Sequence, residues 1–123
     1  DGTLVVIDGA HTARSMRYTL DTFMEIDEPA SSTLIFSAVE GKDVSHMLSM
    51  LIPEFGRIII TKPDEWKKSD PEGIFYQARA IAPDKDIEYI PDRNEALDKA
   101  LGWKRSILIA GSFYLASGME ALR

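Results

Sequence analysis

Short runs rich in isoleucine, valine and leucine recur along the chain, separated by longer stretches with helical periodicity. That alternation limits the fold more than any other feature. Leu4–Ile7, Thr33–Phe36, Arg57–Thr61 and Ser106–Ala110 are nearly continuous in apolar residues, as expected of strands covered on both faces. Ile87–Ile90 is interrupted by Glu88 and reads as an edge strand. Between them, Ala13–Met24 carries Met16, Leu20 and Phe23 on one stripe, and Val44–Leu51 carries Val44, Leu48 and Leu51. Pro71–Ala82 has Ile74, Ala78 and Ile81 at inward spacing, with Asp70 as the expected N-cap and Pro71 in the first turn. Asp92–Gly102 has Asp92 as cap, Glu95 three residues on, and Gly102 at the stop. A last helix is expected over Phe113–Leu122, and Lys62–Ser69, polar with Pro63 and Trp66, reads as a surface loop. The pattern predicts an α/β fold: three αβα layers around a doubly wound, mostly parallel sheet of about five to six strands.

A chain of 123 residues is expected to form one domain, spanning 1–123. With 20 acidic against 14 basic residues, the net charge of −6 argues against a dedicated nucleic-acid or anionic-membrane binder, which needs clustered Lys and Arg. The absence of cysteine excludes disulfides, a thiolate nucleophile and Cys-type zinc sites, and suits a reducing cytosol. Apolar runs are of strand length, well short of the roughly 20 residues of a membrane span. The chain opens on Asp1 and not on a methionine, so it is expected to continue upstream.

In open parallel sheets, ligands bind beyond the carboxyl ends of the strands, which directs attention to the loops there. Asp8-Gly9-Ala10-His11-Thr12 follows the first strand. Asp8 suits either a helix-start cap or a ligand hydroxyl, and Gly9 permits a tight turn or a close ligand approach. His11 suits a hydrogen bond to an anion, a general base, or a packed loop position. After the second strand, "SAVEGKD" (Ser37–Asp43) presents Lys42, a point charge for an anionic group or a solvated lysine. Gly111-Ser112 opens a helix directly after a buried strand, where N–H groups and a hydroxyl make an anion site or a plain cap. His46 reads as a surface residue. G-x-G-x-x-G, G-x-x-x-x-G-K-[ST] and G-x-S-x-G are all missing, and the third strand ends in Thr61 where a phospho-receiver needs a carboxylate. What remains is a site for a small anionic ligand.

"DGAH" at Asp8–His11 is similar to a D-G-A-H-N-P motif, "GKD" at Gly41–Asp43 to a K-D turn, and "AGSFYLAS" at Ala110–Ser117 to a T-G-S-L-Y closing strand and helix. In this order the motifs resemble the C-terminal domain of folylpolyglutamate synthase, including the bacterial form that is also dihydrofolate synthase, within the Mur ligase superfamily. The resemblance implies an ATP-dependent amide ligase of the cytoplasm. A substrate carboxylate is phosphorylated, and the amine of an incoming L-glutamate attacks the acyl phosphate. ATP and Mg2+ would be bound mostly by a preceding N-terminal domain, which also holds most of the site for folate or dihydropteroate; no metal ligand is implied in this chain. By the same resemblance Asp8 would serve the ATP end of the cleft, and His11 would be the candidate catalytic residue, with Thr12 beside it. Lys42 and Ser112 would bind the carboxylates of glutamate. The fragment alone would be inactive. Thr12-Ala13 replaces the family's Asn-Pro, and Lys68-Ser69 stands where an Arg-Ala pair is common, so a guanidinium fork is lost there. Two other readings stay open: a freestanding αβα binding module without catalysis, and the C-terminal domain of another Mur-type amino-acid ligase.

Overall fold

The computed structural model describes residues 5–7, 13–38, 44–62 and 70–111. Five strands form one sheet: β1 (Val5–Ile7), β2 (Thr33–Ser37), β3 (Arg57–Ile60), β4 (Asp86–Tyr89) and β5 (Ile107–Gly111). They lie in the order β1-β5-β2-β3-β4, and every pairing is parallel. Four helices connect them: α1 (Ala13–Ile26), α2 (Val44–Leu51), α3 (Pro71–Ile81) and α4 (Arg93–Gly102), with a short 3-10 turn at Pro29–Ser31. The expected helix at Phe113–Leu122 and most of the expected loop at Lys62–Ser69 lie outside the described residues.

Alternation along each strand divides the core in two. Leu34, Phe36, Ile58, Ile60, Leu108 and Ala110 meet Met16, Leu20 and Phe23 of α1, Met47, Leu48 and Leu51 of α2, and Ile74 and Ala78 of α3. Ile35, Ile59, Ile107 and Ile109 point the other way and meet Ala96, Leu97 and Ala100 of α4. Helices therefore cover both faces, and the expected doubly wound αβα architecture is present. The chain runs outward from β2 to β4 under α2 and α3. It then returns beneath the sheet through α4, so that β5 enters between β1 and β2. A return on the opposite face is what right-handed crossovers require when the direction of travel reverses.

Local signals mark the helix starts. Asp70 caps α3, its carboxylate accepting from the Gly73 N–H at 3.1 Å, with Pro71 in the first turn. Asp92 caps α4, accepting from Asn94 and Glu95 N–H groups at 2.8 and 3.1 Å. One expectation needs correction. Ile81 is 37% exposed, because it is the last residue of α3 and the inward stripe ends one turn earlier at Ala78. α4 ends at Gly102 as expected, with Trp103 as its cap, and the left-handed residue beyond it is Lys104, with φ of 56°. β4 is an edge strand as expected, set one residue earlier, at Asp86–Tyr89. The Ile90 N–H still donates to Ile60 O at 2.9 Å.

The amino edge of the sheet is stitched by hydrogen bonds. Ser106 donates through its hydroxyl to Asp27 at 2.5 Å, Thr33 N–H donates to Ser106 O at 2.9 Å, and Ser32 donates to Glu28 O at 2.7 Å. Gly56 passes beneath the 3-10 turn so closely that a Cβ there would lie 2.3 Å from Ala30 O, which explains a glycine at that point.

Candidate functional site at the carboxyl edge

Because all pairings are parallel, the carboxyl ends of the five strands share one edge, opposite the stitched one. That edge has two different halves. On the β3–β4 side the strand ends are tied together. The buried Thr61 hydroxyl donates to Pro91 O at 3.0 Å, the Lys62 N–H reaches the same oxygen at 3.3 Å, and Pro91 leads into the Asp92 cap of α4. Nearby, Tyr89 packs on Phe75 with ring centroids 6.3 Å apart. Burial, with Glu72 beside it, pushes the Tyr89 phenol above its ordinary value, so Tyr89 stays neutral.

On the other side, β1, β5 and β2 are adjacent, with Ile7 opposite Ile109 and Ser37 opposite Gly111. Three segments leave the sheet here: residues 8–12 after β1, residues 39–43 after β2 and the chain from 112 after β5. They carry Asp8, His11 and Thr12, then Lys42, then Ser112. All five of these side chains lie outside the described residues, as does Lys68 of the third loop. What the structure brings together is the set of strand ends from which their segments depart. Open parallel sheets place their ligands beyond the carboxyl ends of the strands, of which these are three. His46 is exposed, as expected.

Ser37 closes β2, an otherwise largely apolar run. It is fully buried, and its Oγ has no hydrogen-bond partner. Among the described residues, no group of three or more His, Asp or Glu could hold a metal ion, and no helix is long and apolar enough to cross a membrane.

A family model for the Mur ligase glutamate ligase domain matches residues 1–113. No curated protein matches. Among solved structures, the chain is similar to Mycobacterium tuberculosis folylpolyglutamate synthase complexed with ADP and AMPPCP, with a TM-score of 0.85 and 22% identity over 96% of this chain and 29% of that one. It is similar to Thermotoga maritima folylpolyglutamate synthase, with a TM-score of 0.84 and 20% identity over 99% of this chain and 28% of that one. A third is a bifunctional folylpolyglutamate synthase/dihydrofolate synthase with Mn, AMPPNP and L-glutamate bound, with a TM-score of 0.74 and 17% identity over 98% and 29% of the two chains. This chain thus spans less than a third of the length of the structures it matches. At these identities the likeness is one of fold, and the family match is what assigns the chain: it belongs to the Mur ligase family, as a glutamate ligase domain.

Proposed function

We propose that this domain is the C-terminal lobe of an ATP-dependent carboxylate–amine ligase of the folylpolyglutamate synthase/dihydrofolate synthase type, acting in the cytoplasm. It would help to bind L-glutamate and close the nucleotide cleft. The observation that supports this most is the adjacency of β1, β5 and β2, whose carboxyl ends carry the three segments bearing Asp8, His11, Thr12, Lys42 and Ser112.

In this reading Lys42 and Ser112 bind the carboxylates of glutamate, since a dianionic amino acid needs a cation and hydroxyl or N–H donors. His11, the candidate catalytic residue, and Thr12 line the cleft beside the glutamate amine, and Asp8 serves its ATP end. ATP supplies the phosphoryl group that activates the folate or dihydropteroate carboxylate. The glutamate nitrogen then bonds to the acyl carbon, inorganic phosphate leaves, and the nitrogen gives up a proton. The lobe's contribution is positioning the amine, an effect worth several kcal/mol in well-oriented systems. The triphosphate and Mg2+ belong mainly to an N-terminal domain, so the lobe alone is expected to be inactive.

Steady-state kinetics of the full-length enzyme test the reading. Lys42→Ala and Ser112→Ala are each expected to raise the KM for L-glutamate roughly tenfold or more, with a smaller change in the KM for ATP. Unchanged glutamate KM in both variants would overturn these roles. Parallel assays with dihydropteroate, tetrahydrofolate and UDP-muramoyl acceptors separate a folate ligase from another Mur-type ligase.

A further inference from the structure

The outward line of α1 carries charges set the wrong way for their own helix. Met16, Leu20 and Phe23 are buried against the sheet, and the positions opposite them around the helix are Arg14, Tyr18, Asp21 and Glu25, all exposed. Tyr18 is 75% exposed, more than any other large hydrophobic side chain among the described residues, and Met24 beside the line is 41% exposed. The first turn of α1 holds no acidic residue and the last turn no basic one. Arg14 and Arg17 lie instead near the amino end, where the helix dipole is positive, and Asp21 and Glu25 lie toward the carboxyl end, where it is negative. The Arg17–Asp21 pair, at 3.0 Å, likewise runs base before acid, the less favourable order on a helix. Both of its members are more than half exposed, so solvent screens the pair and it does little to offset the arrangement.

What opposes its own helix suits an antiparallel copy of it. From Arg14 to Glu25 the line advances by four, three and four residues, so the side chains form a nearly straight row along the helix. A two-fold axis crossing the row between Tyr18 and Asp21 sets Arg14 of each copy opposite Glu25 of the other, and Tyr18 of each opposite Asp21. Every arginine of the row then meets a carboxylate, each phenol can donate to a carboxylate, and the two helix dipoles run antiparallel. The exposed aromatic falls at the centre of the contact, where aromatic side chains contribute most. A parallel pairing has none of this, since it brings Arg14 to Arg14 and Glu25 to Glu25.

We propose that the outward face of α1 is a homodimer interface, on which a second copy of this chain docks its own α1 antiparallel across a two-fold axis. α1 has 14 residues and so spans about 21 Å. A single helix pair of that length covers less than the roughly 800 Å² per partner of a stable interface, so the dimer is weak and depends on concentration. The inference uses no residue of the candidate site and stands apart from the proposed function.

Sedimentation velocity of the full-length enzyme over a concentration series tests this. The wild type is expected to pass from monomer to dimer as the concentration rises, with weaker association at high salt. Arg14→Glu and Glu25→Arg, each alone, set like charges opposite one another at both ends of the contact and are expected to weaken association roughly tenfold or more. Each change also brings a charge into accord with the helix dipole, so the variant monomers are expected to keep or raise their thermal midpoint. Loss of the dimer is then not loss of the fold. An equimolar mixture of the two variants again sets a glutamate opposite every arginine, and is expected to recover a one-to-one dimer. A wild type that stays monomeric at the highest concentration, unchanged association in both variants, or a mixture that associates no better than either alone would overturn the proposal. So would a lower midpoint for both variants at concentrations where the wild type is monomeric, because another part of the full-length chain would then occupy this face.

Discussion

Asp27 and Ser106 are separated by 79 positions, yet the Ser106 hydroxyl donates to the Asp27 carboxylate at 2.5 Å and joins the end of α1 to the entry of β5. That bond, followed by the Glu28 N–H at 2.8 Å, holds the Asp27 carboxyl below its ordinary value of 3.8. The folded chain thus favours the charged form. The resulting stability is present above pH 3.8 and is lost as the pH falls through the lower folded-state value. Urea unfolding of Ser106→Ala across acid pH is expected to show a shallower acid-side decline than wild type, with lower stability at neutral pH. Because Asp27 is exposed, salt should narrow the difference. An acid limb identical to wild type would show that the bond does no such work. Neither residue stands out in the sequence, since nothing local to Asp27 announces a serine from the far end of the chain.

α4 shows how far local chemistry reaches. Its start is legible because a cap is decided within three residues: Asp92 and the N–H groups of Asn94 and Glu95 are a self-contained unit. Its end is legible only in part. α4 stops at Gly102 as its composition suggests, but the left-handed turn comes two residues on, at Lys104, whose N–H donates to Leu101 O at 3.1 Å. The destination of the chain sets this turn, since it must reach Ser106 and enter β5 between two strands already defined by distant pairing. Trp103 is held there by Arg57, whose guanidinium stacks 4.5 Å from the ring centroid while pairing with Asp86 at 3.1 Å. Opposite changes in stability are expected at the two ends of α4. Asp92→Ala should lose about 1 kcal/mol, and Lys104→Gly should gain up to about 1 kcal/mol, as a left-handed conformation is relieved of its Cβ. Urea titrations of the two variants check both signs.

β5 joins the parts of the sheet. It bonds to β1 on one side and β2 on the other, so the described pairing of β1 depends on it entirely. Leu108 faces the α1–α2–α3 layer and Ile109 faces α4, which couples the two half-cores through adjacent residues. Leu108→Ala and Ile109→Ala are each expected to lose about 2–5 kcal/mol in one cooperative transition with an unchanged denaturant slope. A biphasic curve in either variant would mean that the two layers unfold separately.

Periodicity, capping and the interruption at Glu88 are written in neighbouring residues, so the strands, most helix limits, the edge position of β4 and the three-layer class could be read directly. The motifs likewise named the residue types of the candidate site. The order β1-β5-β2-β3-β4 could not be read in this way, because pairing joins segments whose partners lie far along the chain. That order brings the ends of β1, β5 and β2 together and seats Ser37 between Gly111 and Thr61. It also leaves the Ser37 hydroxyl unpaired in the wall of the sheet. Local preference chose the strands; the satisfaction of distant backbone groups and the covering of both faces chose their neighbours.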